Sequence, residues 1–270
     1  MALVVGAVLP YRVTAGVGLK FPQKLIYIDI DPGVFNKNYC PTVAVAGDAK
    51  AVLGQLVELL KGKSIAKSEA FAKEVKQLQE RVKQVLWEQG PNQQRVMESI
   101  RGIISRDTII VADSTMAAYW ATRGMPCYEP RTYLSPHGWT SIGFAFPAAL
   151  GAKVARPDRQ VIVISGDGGF QLNMQELGTA AQYGIKVVVL LFNDSAWGVL
   201  RDMQREYHSG HYYATDLINP DFVRLAESYG LAATRVYNCQ EMSSALEVAL
   251  NSNEFHLIEV ETPKGFSEFT

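Results

Sequence analysis

Short aliphatic and β-branched runs alternate along the chain with longer stretches whose apolar positions recur every three to four residues. The short runs predict strands at residues 3–8, 25–30, 108–112, 161–165, 187–192, 232–236 and 256–260. The longer stretches predict helices at residues 49–61, 93–105, 173–183, 220–229 and 240–251. This alternation is the pattern of a parallel sheet covered by helices on both faces, so the expected class is α/β with a doubly wound parallel sheet. Residues 61–90 differ from the rest: they are rich in Lys, Glu and Gln, with Phe71, Val75, Leu78, Val82 and Leu86 at helical spacing. They read as an amphipathic connector helix over 64–90 that ends at Gly90-Pro91-Asn92, where a domain boundary is expected.

Two helix starts carry capping chemistry. Asn219-Pro220-Asp221 offers an amide, a proline for the first turn and an acid near the positive helix end. Asn173 followed by Glu176 has the spacing of a capping box.

The most informative stretch runs from Val161 to Gly198, with two predicted strands that each end in a polar turn. In open parallel sheets, ligands collect at the carboxyl ends of strands, because the loops diverge there and leave a crevice. Gly166-Asp167-Gly168-Gly169 sets one carboxylate among three glycines, so backbone N–H groups can approach an anion without Cβ obstruction. Asn193-Asp194-Ser195 brings a second carboxylate one strand later. Either turn alone is equally well explained as Asp, Asn and Gly serving turn geometry. Together they suit a hard divalent cation, Mg²⁺ above all, bridging the protein to a diphosphate.

Composition narrows the partners. The 270 residues carry 26 basic and 27 acidic side chains, so the basic excess of a polyanion-binding surface is absent and nucleic acid is not an expected partner. The three cysteines, Cys40, Cys127 and Cys239, are too scattered for a metal or disulfide framework. The apolar opening MALVVGAVLPYRV breaks at Gly6 and Pro10, short of a membrane span and without the features of a signal peptide. No membrane partner is expected, and a cytoplasmic location fits.

Gly166-Asp167-Gly168, followed by Asn193-Asp194 and then Gly198, resembles the cofactor motif of thiamine diphosphate-dependent enzymes. Residues 142–153 (IGFAFPAALGAK), 219–230 (NPDFVRLAESYG) and 25–56 (LIYIDIDPGVFNKNYCPTVAVAGDAKAVLGQL) are similar to segments of the acetolactate synthase and 2-oxo acid decarboxylase group. The resemblance covers most of the chain. It implies that residues 1–63 are part of a Rossmann-like central domain and that 91–270 form the domain binding diphosphate and Mg²⁺. It further implies that Asp167 and Asp194 ligate Mg²⁺ with the carbonyl of Ala196. Gly168, Gly169 and Ser195 would face the diphosphate, Gly166, Trp197 and Gly198 would belong to the same cofactor-binding loops, and Trp197 and Met203 stand where the family often lines its substrate pocket. Ile142 would bend the cofactor, and the Thr140 backbone would receive a hydrogen bond from its amine. The implied reaction is addition to a 2-oxo acid, loss of CO₂, then protonation to an aldehyde or addition to a second carbonyl.

The same resemblance implies a missing part. The activating Glu belongs to a pyrimidine-binding domain that has no counterpart here, so a fragment or one subunit of a split enzyme is expected, inactive alone and prone to assemble as a homo-oligomer. A catalytically silent cofactor-binding or assembly subunit is the alternative. His137, shortly before Ile142, is a candidate proton shuttle or substrate contact, with equal weight on an ordinary loop histidine. His208 and His211 form a weaker pair with no further ligand nearby. Met203 stands where acetolactate synthases usually carry Trp; Asp113-Ser114-Thr115 follows another strand end and is a candidate for hydroxyl contacts to the diphosphate, although it differs from their Gly-Gln.

Overall fold

The computed structural model describes residues 1–10, 14, 16, 18–63, 69–136, 138–263 and 266. The chain divides into two compact units, Met1–Phe71 and Ala72–Thr270. The first holds a three-stranded parallel sheet of β1 (Ala2–Val5), β2 (Leu25–Asp29) and β3 (Val43–Ala46), in that order. Helix α1 (Ala49–Leu60) follows β3, capped by the Asp48 carboxylate, which accepts from the Ala51 N–H at 2.9 Å.

The amphipathic helix expected over residues 64–90 is observed as α2 (Glu69–Gln89), 21 residues long and lying mostly within the second unit. It stops at Gly90, and α3 (Pro91–Ile103) begins with proline in its first turn, where the absent N–H costs nothing. There follow β4 (Ile109–Ala112), α4 (Met116–Gly124), β5 (Tyr133–Leu134), α5 (Ala145–Ala155), β6 (Val161–Gly166) and the short α6 (Asp167–Gln171). Then come α7 (Glu176–Tyr183), β7 (Val188–Asn193), α8 (Gly198–Tyr207), α9 (Phe222–Ser228), β8 (Ala232–Val236), α10 (Cys239–Ser252) and β9 (His256–Glu261).

The second sheet is parallel throughout, in the order β5-β4-β6-β7-β9-β8. Its inner strands β4, β6, β7 and β9 are buried on both faces, and the pleat sorts their side chains by parity. Ile110, Ile162, Ile164, Val188, Leu190 and Ile258 pack on one side with Val96, Met97 and Ile100 of α3. Ile109, Val111, Val163, Val189, Leu191 and Leu257 pack on the other with Phe146, Phe170 and Phe222. The expected doubly wound α/β class is therefore the observed one.

Two expected caps are corrected. Asn219 does not cap α9: the cap is Asp221, whose carboxylate accepts from the Arg224 N–H at 3.2 Å. Asn173 does not cap α7, which starts three residues later at Glu176 with no side-chain cap. A cap of related form occurs at α10, where the N-cap Asn238 accepts from the Glu241 N–H and Glu241 reaches back past the cap to accept from the Tyr237 N–H, both at 2.9 Å. Among the described residues no helix is long and apolar enough to cross a membrane.

Candidate functional site

The order of the second sheet reverses between β4 and β6: β5 lies outward of β4 on one side, and β6 with its successors on the other. At such a switch point the loops after the two strands part and open a crevice at their carboxyl ends. Asp113 directly follows β4, and Gly166 ends β6, paired in register with Phe192 of β7. Asp167 and Asn193 thus leave adjacent strands side by side.

Asp167 is 2% exposed, and among the described residues no Lys or Arg forms an ion pair with it. Burial pushes its carboxyl above the ordinary range, opposed by hydrogen bonds from the Asn219 side chain and from the backbone of Gly168 and Ala196. Asn219 donates from Nδ2 to Asp167 Oδ2 at 2.6 Å and to Asn193 Oδ1 at 2.8 Å. Asn193 donates to Glu259 Oε1 at 2.7 Å, and the buried Glu259 is held by Arg235 Nε at 2.9 Å. One hydrogen-bonded chain therefore links both polar turns to the ion pair between the buried Glu259 on β9 and the partly exposed Arg235 on β8.

The turn after β7 is held as firmly. Ser195 adopts φ +51°, left-handed for a residue with a Cβ, and its N–H is taken by Asn193 Oδ1 at 3.1 Å. The Ser195 carbonyl accepts from Leu217 N–H at 2.9 Å and the Trp197 N–H donates to the Thr215 carbonyl at 2.7 Å. These bonds flank Ala196, which is buried and bridges to Asp216. Gly198 opens α8 against Asp194: a Cβ there would lie 2.5 Å from Asp194 Oδ2.

The glycines of the first turn answer to neighbours across the crevice. A Cβ on Gly166 would lie 2.7 Å from Thr115 Oγ1, and one on Gly168 would lie 2.7 Å from the Trp197 ring. A Cβ on Gly169 would meet Asp113 Oδ1 at 3.3 Å and Ile142 Cγ2 at 3.4 Å. The turns after β4, β6 and β7 and the segment around Ile142 thus converge on one place.

That segment has its own anchors, Asp113 and Asn173, to which sequence reading assigns other roles. The buried Asp113 carboxylate accepts from the N–H groups of Gly143 and Ala145, each at 3.0 Å. Asn173 Nδ2 donates to the Gly143 carbonyl at 2.8 Å, and Gly143 has φ +87°, a conformation a side chain would strain. Thr140 is left-handed at φ +54°, with its N–H bonded to the Pro136 carbonyl at 2.7 Å. Ile142, so anchored, keeps 42% of its surface exposed.

Of the sequence-expected residues, Thr140, Ile142, Gly166, Asp167, Gly168, Gly169, Asp194, Ser195, Ala196, Trp197 and Gly198 all fall in these four converging segments. His137 lies outside the described residues. Met203 is half exposed on α8, and His208 and His211 are exposed beyond its end. No cluster of three or more His, Cys, Asp or Glu side chains suited to a metal occurs among the described residues.

A family profile described as "Thiamine pyrophosphate enzyme, C-terminal TPP binding domain" matches residues 113–260, from the Asp113 turn through β9. The chain belongs to the thiamine diphosphate-dependent enzyme family. Among its relatives, a probable acetolactate synthase large subunit of Methanocaldococcus jannaschii is 34% identical over 268 residues, covering 96% of this chain and 45% of that protein. The acetolactate synthase large subunit of Corynebacterium glutamicum is 35% identical over 266 residues, covering 94% and 42% respectively. A solved structure, the Rhodococcus jostii RHA1 thiamine diphosphate-dependent 4-hydroxybenzoylformate decarboxylase, superposes with a TM-score of 0.72 at 26% identity over 98% of this chain and 49% of that one. The chain thus spans less than half the length of these relatives.

Within this thiamine diphosphate family, the donor set fits the expected cofactor chemistry. Asp167 is a buried carboxylate lacking a cationic partner among the described residues, so a divalent cation would relieve the burial that disfavours its charge. The glycines beside it let Thr115, Trp197, Asp113 and Ile142 pack directly against the turn, an approach a Cβ would block. Oxygen donors alone, with neither sulfur nor imidazole at the turns, favour Mg²⁺ over softer ions.

Proposed function

We propose that the chain supplies the diphosphate- and Mg²⁺-binding half of a thiamine diphosphate-dependent decarboxylase or carboligase acting on a 2-oxo acid. The carrying observation is the buried Asp167 carboxylate, unpaired with any cation among the described residues and tied by Asn219 to the turn bearing Asp194. In this reading the Asp167 and Asp194 carboxylates and the Ala196 carbonyl hold Mg²⁺. Gly168, Gly169 and Ser195 face the diphosphate, and Gly166, Trp197 and Gly198 complete its cradle.

When bound, the cofactor supplies an electron sink for the charge left when CO₂ departs. The chain's own contribution is shape and orientation. Ile142 would sit under the cofactor and favour its bent form, and the Thr140 carbonyl would accept a hydrogen bond from its amine. Rigid supports serve such positioning, because orientation of reacting groups lowers the barrier only if it is held. Asp113 and Asn173 are those supports here.

The carboxylate that activates the aminopyrimidine comes, in this proposal, from a pyrimidine-binding domain or subunit, and the working enzyme is a cytoplasmic homo-oligomer in which that part completes the site. His137 contacts substrate or moves a proton. The half-length match to the relatives supports this division. The test is turnover of 2-oxo acids with thiamine diphosphate and Mg²⁺, by the chain alone and with a pyrimidine-binding partner. Turnover only in the second case is expected; robust turnover by the chain alone overturns the division.

A further inference from the structure

We propose that Asn219 is a positioning residue that locks the two polar turns together and sets the Asp167 carboxylate for the divalent cation. The inference rests on the reading of Asp167 and Asp194 as metal ligands. It also gives a role to a side chain that neither composition nor helix capping explains, since α9 is capped by Asp221 instead.

The backbone ladder between β6 and β7 ends at Gly166 and Phe192. Beyond it the turns diverge, and the distance between them is set by what spans the gap. Asn219 does so with one nitrogen, donating to Asp167 Oδ2 at 2.6 Å and to Asn193 Oδ1 at 2.8 Å. The Ala196 N–H, which also reaches Asp167, is the second tie.

The hydrogen-bond directions leave one solution. Glu259 takes both the Arg235 Nε and the Asn193 Nδ2 hydrogen bonds, so Asn193 must turn its oxygen toward Asn219. Gln171 Nε2 donates to Asn219 Oδ1 at 2.9 Å, so the Asn219 amide must present its two hydrogens to the turns. Only a side chain of this length with two donors on one atom fits. An Asp at 219 would set a carboxylate oxygen against Asp167 Oδ2, and a Leu would remove both bonds while keeping the volume.

The experiment titrates Mg²⁺ calorimetrically into the full chain at fixed thiamine diphosphate, for native, Asn219→Leu, Asn219→Asp and Gln171→Leu proteins. Urea unfolding without metal is measured alongside. Residues that support metal ligands in this way typically govern affinity by about 10- to 100-fold. Asn219→Leu is therefore expected to weaken Mg²⁺ about tenfold or more, Asn219→Asp further still, and Gln171→Leu by a smaller factor, in excess of any change in metal-free stability. Mg²⁺ affinity within about twofold of native in a folded Asn219→Leu protein overturns the proposal, whatever its stability. Should that variant not fold, native-like affinity in Gln171→Leu overturns it instead. Binding by the native chain with unchanged variants removes this inference alone, whereas no Mg²⁺-dependent binding by the native chain removes the underlying reading with it.

Discussion

The Asp113 carboxylate accepts the Gly143 N–H at 3.0 Å across 30 residues of sequence, and this bond, with its twin to Ala145, fixes the segment that carries Ile142. Burying two peptide N–H groups demands two acceptors, and one carboxylate supplies both. Asp113→Asn keeps one acceptor and turns an amide hydrogen toward the other N–H, so it should cost about 1–3 kcal/mol of stability. Urea unfolding measures this. A loss within a few tenths of a kcal/mol would mean that the loop is held by other contacts.

Ile142→Ala should separate function from stability. The side chain is 42% exposed, so its removal should cost less than about 1 kcal/mol. Under the proposed function, kcat of the enzyme assembled with a pyrimidine-binding part should nevertheless fall at least about tenfold, because the bend that Ile142 is proposed to impose on the cofactor would be lost. Steady-state kinetics beside thermal unfolding gives both numbers, and unchanged kcat would remove Ile142 from the proposed machinery.

Gly168→Ala should do the reverse and disturb the fold locally. The added Cβ would sit 2.7 Å from the Trp197 ring, so ring or turn must shift. Overpacking of this kind costs about 1–3 kcal/mol. The Trp197 displacement should register as a change in tryptophan fluorescence, compared with Gly151→Ala, whose Cβ would meet nothing within 4 Å. Identical spectra and stabilities for the two variants would show that the turn yields freely.

Stability should also fall in mild acid through His256 on β9. Burial pushes its imidazole below the ordinary 6.5, so the folded chain resists the proton that the unfolded chain accepts. The contribution is intact above about 6.5 and is lost as pH falls from there through the lowered folded value. His256→Gln should abolish that slope. Urea midpoints of the two proteins should run parallel at pH 8 and diverge toward pH 5, the native protein losing more; parallel curves throughout would contradict the assignment.

The fold was legible where burial is complete. Strands β6 and β7 are unbroken apolar runs bounded by turn residues, and their sequence-expected limits differ from the observed ones by a single residue at each end that moved. Strand β3, four residues with little burial, and β5, two residues long, carry too little periodicity to be seen. Helix α6, Asp167–Gln171, hides behind two glycines that argue against any helix. The misread caps have a common cause. Asn173 and Asn219 have cap-like spacing, but their amides are drawn to partners distant in sequence, the Gly143 carbonyl and the Asp167 carboxylate. Local spacing cannot reveal such partners. At Asp113-Ser114-Thr115 the strand end is legible and draws attention to its hydroxyls, whereas the Asp113 carboxylate's bonds to Gly143 and Ala145, 30 and 32 residues away, leave no local signal.

The central claim is that Asp167 holds a divalent cation against the diphosphate. Calorimetric titration of thiamine diphosphate at saturating Mg²⁺, native chain against Asp167→Asn, tests it most directly. The substitution keeps size and shape but gives up the charge that oxygen-seeking cations require. Native binding that needs Mg²⁺, with the Asp167→Asn affinity at least about tenfold weaker, is the expected result; identical titrations of the two proteins would contradict the account.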